Sequence, residues 1–207
     1  MNNNLKFIYY EFIKFFEWAL ITLICMLVII GVAYLDISRT GVISENFFTE
    51  YLQKSLLFIC VCIFAYISKK YRQYAVILVC GFLMCMLIRE WDAVFDKIFH
   101  GAWKFIALPT AALSCYFAFR TGKENLVKEL AFFMQMRAYN ILLLGLMIVL
   151  IISRVLGMRS IILLFAGIDF NEGMKNFMEE SFELLGYLII FISSILYLRE
   201  YKLLCKK

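Results

Sequence analysis

The sequence predicts an all-α protein, a polytopic bundle of six transmembrane helices with short interfacial helices beside them. Its 207 residues are 64% hydrophobic and 18% charged, whereas soluble domains are about 45–50% apolar and about 25% charged. The long apolar runs contain a single proline, Pro109, and none shows the alternation of polarity, over roughly ten residues, that a membrane barrel requires. Lipid is the solvent that suits so much apolar surface.

Stretches without charged side chains locate the six spans. These stretches hold 14 to 18 residues each, and 15 helical residues reach only about 22 Å, against roughly 30 Å of hydrocarbon. Each helix is therefore expected to extend beyond its charge-free stretch and to carry charged residues near the membrane boundary. The predicted spans cover residues 18–35, 54–68, 73–89, 103–119, 138–154 and 182–198.

The segments between the spans are short, so the sequence predicts a single membrane domain over residues 1–207 with no separate globular head. Four of these segments combine apolar and charged residues in the manner of helices that lie in the membrane interface. The predicted interfacial segments cover residues 5–16, 46–54, 121–136 and 161–178.

The distribution of charge predicts that both termini are cytoplasmic. With six spans and the N-terminus inside, the inner segments hold 13 basic residues and the outer segments hold 8. Acidic residues divide the other way, with 5 inside and 11 outside. An excess of lysine and arginine marks the cytoplasmic side of membrane proteins, and the net charge of +5 then reflects topology and does not indicate binding to nucleic acid.

A polar cluster is predicted at the outer ends of the third to sixth spans. The segment REWDAVFDKIFHGAWK, residues 89–104, places charged side chains every three or four positions, which would align them on one face of a helix. A second acidic group precedes the sixth span, and an arginine ends the fifth. The candidate residues are Arg89, Glu90, Asp92, Asp96, His100, Lys104, Arg154, Glu179, Glu180 and Glu183.

Four interpretations of this cluster stay open at the level of sequence. The first, which the sequence favours, is a network of ion pairs that neutralises charge near the bilayer. The second is a polar pocket for a small solute, an ion or a proton, with His100 titrating near neutrality. The third is a membrane enzyme acting on lipid head groups or a lipid-linked substrate, with His100 or Glu183 as the base. The fourth is a metal site of His100 with Asp96, Glu179 or Glu183, but no HxxxH or HExxH motif accompanies it.

Several function classes lack any supporting motif. The chain has no phosphate-cradling loop and no kinase, hydrolase or zinc-finger signature, so no catalytic residue is assigned. We expect no cofactor, because a membrane haem of the two-histidine type cannot form in a chain with one histidine. Six of the seven cysteines lie in apolar runs, where they suit small buried side chains better than a disulfide framework. The expected partners are the lipid bilayer and either another protein or a second copy, with no nucleic acid.

Two segments, REWDAVFDKIFHGAWK and MEESFELLGYLIIF, resemble parts of small, uncharacterised multi-span proteins of bacterial inner membranes. The resemblance implies a location in the bacterial inner membrane, and such a family supplies no activity to carry over. We therefore expect a non-enzymatic subunit or accessory of a membrane assembly, or a small transporter-like bundle. The alternative is a membrane-embedded enzyme at the outer interface.

Overall fold

The computed structural model of the protein describes residues 3–40, 47–120, 123–166 and 172–204, and helices are the regular secondary structure of these ranges. No strand occurs within those ranges. The predicted all-α class is therefore confirmed. Small parts of three predicted interfacial segments, at residues 46, 121–122 and 167–171, lie outside the described residues.

Ten α-helices and one π-helical turn follow one another through the described ranges. They are α1 (Asn3–Thr40), α2 (Phe47–Tyr71), α3 (Ala75–Glu90), α4 (Asp92–Phe95), α5 (Trp103–Phe119), α6 (Lys123–Gln135), α7 (Arg137–Met147), the π turn (Ile148–Ile152), α8 (Ser153–Leu156), α9 (Arg159–Ala166) and α10 (Glu172–Leu204). Since α7, the π turn and α8 follow without a gap, they form one helical rod over Arg137–Leu156.

Four helices are long and apolar enough to cross a membrane: Glu11–Arg39, Phe48–Tyr71, Arg137–Leu156 and Glu172–Leu204. All six predicted spans overlap helices, but the third and fourth correspond to α3 and α5, which have 16 and 17 residues. At 1.5 Å per residue these two reach about 24–26 Å, short of the roughly 30 Å of a hydrocarbon core. By length and composition, four of the six predicted spans are candidate membrane-spanning helices.

The predicted interfacial segments become parts of helices in different ways. Residues 5–16 continue without a break into the first long helix, so α1 has 38 residues. The segment at 121–136 forms the separate helix α6, which buries Leu126 and Phe133 and leaves Val127 and Met134 exposed. The segment at 161–178 divides between α9 and the first residues of α10.

The core forms around α10, which packs against the α7–α8 rod and against α2, while α3 lies between α2 and α5. Apolar side chains from these helices interlock away from the surface, as burial of one helix face requires. The most buried of them are Leu57, Cys60, Phe64, Ile67, Val76, Leu83, Ala138, Val149, Leu184, Tyr187, Ile190 and Tyr197.

Two glycines allow α7 and α10 to approach each other closely. A Cβ atom added to Gly186 would lie 3.0 Å from the carbonyl oxygen of Gly145 and 3.2 Å from the backbone nitrogen of Val149. Small residues permit such backbone approach between membrane helices, where van der Waals packing drives association. This contact fixes the register of α10 against α7 and therefore of the polar side chains beyond it.

Two carboxylates anchor the first turns of neighbouring helices. Glu129 of α6 accepts hydrogen bonds through Oε2 from the backbone nitrogens of Tyr74 (2.6 Å) and Ala75 (2.9 Å), at the start of α3. The buried Asp36 of α1 accepts hydrogen bonds from the backbone nitrogens of Phe48 (2.7 Å) and Thr49 (3.1 Å), at the start of α2. A carboxylate suits a helix N-terminus because the first N–H groups lack partners within the helix.

Candidate functional site

A polar cavity opens at the end of the bundle where α2 and α10 begin and where α3 and α8 end. Its volume is about 190 Å³. We call it the acidic cavity, because acidic side chains form most of its wall. Its lining consists of Glu50, Gln53, Arg89, Glu90, Asp92, Ala93, Arg154, Glu179, Glu180 and Glu183.

Arg154 joins two of these carboxylates. Its Nη1 donates a hydrogen bond to Oε1 of Glu179 at 2.9 Å, and its Nη2 donates to Oε1 of Glu183. Glu183 is only 4% exposed, and the hydroxyl of Ser153 lies 3.4 Å from the same Oε1 atom. A guanidinium that binds two carboxylates holds both of them in a defined geometry.

A π turn over Ile148–Ile152 immediately precedes the segment that carries Arg154. Its i→i+5 hydrogen bonds put more residues into each turn than in an α-helix, and single π turns are frequent at functional sites. Val149 and Ser153 are both fully buried, and the Ser153 hydroxyl donates to the Val149 carbonyl oxygen at 2.8 Å.

Neutral side chains hold two further carboxylates in the acidic cavity. Gln53 is 1% exposed, and its Nε2 donates to the side-chain Oε2 of Glu180 at 2.9 Å and to its backbone oxygen at 3.2 Å. The Tyr187 hydroxyl donates to Oε1 of Glu90 at 2.7 Å. These bonds orient the two carboxylates without neutralising their charge.

The lining carries a large excess of acid, with six carboxylates against two arginines. Within the described residues, ion pairs join Glu179 and Glu183 to Arg154 and join Glu50 to Lys54. No basic group of the described chain lies within salt-bridge distance of Glu90, Asp92 or Glu180. The ion pairs therefore account for half of the acidic side chains of the lining and leave the other half outside any ion pair of the described chain.

The structure brings together seven of the ten predicted site residues. Arg89, Glu90, Asp92, Arg154, Glu179, Glu180 and Glu183 all line the acidic cavity. Asp96, His100 and Lys104 are not in its lining. The His100 side chain is 98% exposed, so it is not placed to act as a base or a metal ligand in the cavity.

The separation of these three residues follows from the backbone after α4. A single helix over residues 89–104 would align them with Arg89, but α4 ends at Phe95 and Gly101 has a φ of +81°, which favours glycine. Asp96 instead stabilises this turn: its Oδ1 accepts from the Gly101 nitrogen at 2.8 Å and its Oδ2 lies 3.0 Å from Nδ1 of His100. The Gly101 hydrogen bond, followed by that of His100, lowers the pKa of Asp96.

Sequence reasoning missed four polar residues at or behind this site. Glu50 and Gln53 line the cavity from α2, while Ser153 and Tyr187 lie behind it and contact Glu183 and Glu90. A polar pair three residues apart at the start of an apolar helix was a usable signal for Glu50 and Gln53. Tyr187 sits among apolar residues in the sixth predicted span, and nothing in its neighbours marks it.

The chemistry of the acidic cavity is that of a hydrogen-bond acceptor for positive charge. Carboxylates accept hydrogen bonds and donate none when they are ionised. Among the residues that the structure describes, no three histidine, cysteine or acidic side chains form a group able to hold a metal ion. The carboxylates of the wall suit a cation that donates hydrogen bonds.

Comparison of the chain with protein-family models, with curated proteins and with solved structures gave no match. The resemblance of two segments to bacterial inner-membrane proteins therefore stays a prediction. What the acidic cavity does must be inferred from its own residues.

Proposed function

We propose that the protein is a multi-pass membrane protein that binds a small organic cation in the acidic cavity. It works without catalysis, as a subunit of a membrane assembly or as a small transporter-like bundle. The observation that carries this proposal is a cavity walled by six carboxylates and only two arginines. A protonated primary amine is the simplest ligand that matches it, because the ammonium group donates three hydrogen bonds and accepts none.

The unpaired carboxylates favour a binding site over a purely structural network. Ionisable groups near a bilayer need partners, since an uncompensated charge there is costly. The half-buried Glu90 and Glu180, like the exposed Asp92, have no basic partner among the described residues. A bound cation supplies that partner, and a recessed wall of one sign also raises the local concentration of the opposite charge.

A non-enzymatic role fits the residue types of the lining. The wall contains no histidine, serine, cysteine or lysine, so carboxylates are the nucleophiles or bases that it offers. The exposure of His100 removes one of the two bases that the enzyme interpretation named, and the other, Glu183, is held in an ion pair with Arg154. Binding is the activity that this arrangement of side chains supports best.

The membrane topology that supports this site has six spans and cytoplasmic termini. In that arrangement α3 and α5 are short spans, and the acidic cavity faces outward. The proposal is supported by the excess of basic residues in the inner segments and by the position of α6, which packs at the α3 N-terminus. Labelling of single cysteines placed in α6 should require permeable cells; labelling from outside intact cells contradicts this topology.

Binding can be tested on the purified protein in detergent with ethanolamine as the probe. Calorimetric titration should show saturable binding, and Asp92→Asn should weaken it at least about tenfold, because an ionised acceptor is lost. Asp96→Asn is the matched control, since Asp96 lies on the same segment outside the cavity lining. The proposal fails if ethanolamine shows no saturable binding or if the two variants bind it equally.

A further inference from the structure

A second cavity, mostly apolar, lies between α2 and the segment where α3 ends and α4 begins. Its volume is about 430 Å³, within the range of about 300–1,000 Å³ that is typical of ligand pockets. We call it the α2–α3 groove. Its lining consists of Glu50, Tyr51, Lys54, Ser55, Phe58, Ile59, Leu87, Trp91 and Val94.

The end of α3 and the adjoining α4 form a wall shared by the two cavities. Leu87, Trp91 and Val94 line the α2–α3 groove, whereas Arg89 and Glu90 line the acidic cavity. Leu87 belongs to α3 and Val94 to α4, and Trp91 lies between the two helices. The apolar and polar compartments thus share this segment as a common wall.

Glu50 connects the two compartments, because it lines both of them. Lys54, one turn further along α2, lies in the groove, and its Nζ is 2.8 Å from Oε2 of Glu50 and 5.8 Å from the centre of the Trp91 ring. The groove therefore has an apolar body and, at the end nearer the acidic cavity, a cation beside an anion.

We propose that the organic cation of the acidic cavity is the head group of a phospholipid that carries a primary amine. One acyl chain lies in the α2–α3 groove against Phe58, Ile59 and Leu87. The phosphate pairs with Lys54, and the ammonium group passes over Glu50 to the unpaired carboxylates. This inference rests on the proposed function, since it names the ligand class of the same cavity.

Charge complementarity selects this lipid class over two others. An anionic head group without an amine would bring negative charge to a wall that is already acidic. A trimethylated ammonium carries the positive charge but donates no N–H hydrogen bond to the carboxylates. A primary amine beside a phosphate matches both the cation of the groove and the acceptors of the cavity.

The test compares lipids and variants on the detergent-solubilised protein by native mass spectrometry. Phosphatidylethanolamine should bind at least about tenfold more tightly than phosphatidylglycerol or phosphatidylcholine. Ser55→Phe fills the groove and Lys54→Gln removes the phosphate partner, so each should weaken phosphatidylethanolamine binding by at least about tenfold. Ala65→Phe is the matched control, because Ala65 is exposed on the same helix and does not line the groove.

Titration with free ethanolamine separates this inference from the proposed function. Ser55→Phe should leave ethanolamine binding unchanged, because the acidic cavity is intact in that variant. If ethanolamine binds but the three lipids bind equally, or Ser55→Phe matches Ala65→Phe, the lipid inference is overturned and the cation site stands. Failure of ethanolamine to bind the unmodified protein overturns both.

Discussion

The two ends of α10 and α2 are built on opposite principles. Near the C-terminus of α10, Tyr197 and Tyr201 pack with Phe64, Tyr71 and Phe133, with ring centroids 4.8–6.0 Å apart. We call this the aromatic end. Near the N-terminus of α10, carboxylates surround a cavity of about 190 Å³. Aromatic rings fill one end of this helix pair, whereas carboxylates line a cavity at the other end.

The contrast separates the part of the molecule that maintains the fold from the part available for binding. Buried aromatic side chains contribute both apolar burial and ring–ring contacts. Buried carboxylates cost free energy unless a partner compensates them, and sites of function are often where stability is sacrificed. We therefore expect substitutions at the aromatic end to act on stability and those at the unpaired carboxylates to act on binding.

The largest effect is expected from Tyr197→Ala at the aromatic end. Tyr197 is fully buried and contacts Phe64 and Phe133, so its removal leaves a large cavity, which should lower the free energy of unfolding by about 3–5 kcal/mol. Unfolding in detergent, followed by circular dichroism, measures it. Tyr116→Ala, at a 62% exposed position, is the control and should change the free energy of unfolding little. Equal losses in the two variants would contradict a larger contribution of the aromatic end to stability.

Arg154→Met should produce the next largest loss. The substitution leaves Glu179 and the buried Glu183 without their cation, and removal of one partner from a buried pair costs about 3–5 kcal/mol. We expect about 3 kcal/mol, the lower limit, because the Arg154 side chain is 39% exposed.

A second substitution checks the cause of that loss. Adding Glu183→Gln to Arg154→Met removes the stranded charge and should restore part of the stability, as the same unfolding experiment would show. If the double variant is less stable than Arg154→Met alone, the loss does not arise from an uncompensated carboxylate.

A substitution at the glycine contact between α7 and α10 should lower the free energy of unfolding by an intermediate amount. Gly186→Ala brings a Cβ to 3.0 Å from the Gly145 carbonyl oxygen and forces α7 and α10 apart, which should cost about 1–3 kcal/mol. Gly31→Ala is the matched control, because no heavy atom lies within 4 Å of its added Cβ. Thermal melting should distinguish them, and a Gly186→Ala protein as stable as Gly31→Ala would contradict the close approach.

The smallest effect concerns Asp96, on the exposed turn beyond the acidic cavity. Its pKa is lowered in the folded protein, so it contributes stability above its unfolded pKa of about 4, and that contribution is lost as pH falls through the folded value. A carboxyl NMR titration should show the low pKa. In His100→Ala the pKa of Asp96 should stay low, since the Gly101 hydrogen bond is the larger cause of its lowering. A return of this pKa to its ordinary value in that variant would show that His100 is the larger cause.

Much of the helical architecture could be predicted because it depends on local composition. Apolar runs and charge positions located helices that overlap all six predicted spans, and helix ends on one side of the bundle brought together Arg89, Arg154 and Glu183. The number of spans does not follow from composition in the same way. The helices α3 and α5 contain only 16 and 17 residues, so they are shorter than the thickness of an ordinary hydrocarbon core.

The remaining features depend on tertiary contacts that no local pattern encodes. The π turn before Arg154 has no proline or glycine to mark it. The partnership of Gln53 with Glu180 joins residues 127 positions apart. The loss of His100 from the site depends on where α4 ends, and boundaries of short helices are set by packing as much as by propensity.

The double variant Glu90→Gln, Asp92→Asn tests the central claim most directly, because these carboxylates lie in the acidic cavity without a basic partner in the described chain. Glutamine retains an oxygen that can accept the Tyr187 hydrogen bond. The measurement is the free energy of unfolding in detergent, together with ethanolamine affinity. We predict stability equal to or above that of the unmodified protein, because the substitutions remove uncompensated charge, together with loss of ethanolamine binding. A loss of stability like that of Arg154→Met, with ethanolamine binding unchanged, would show that the cluster is structural and not a site.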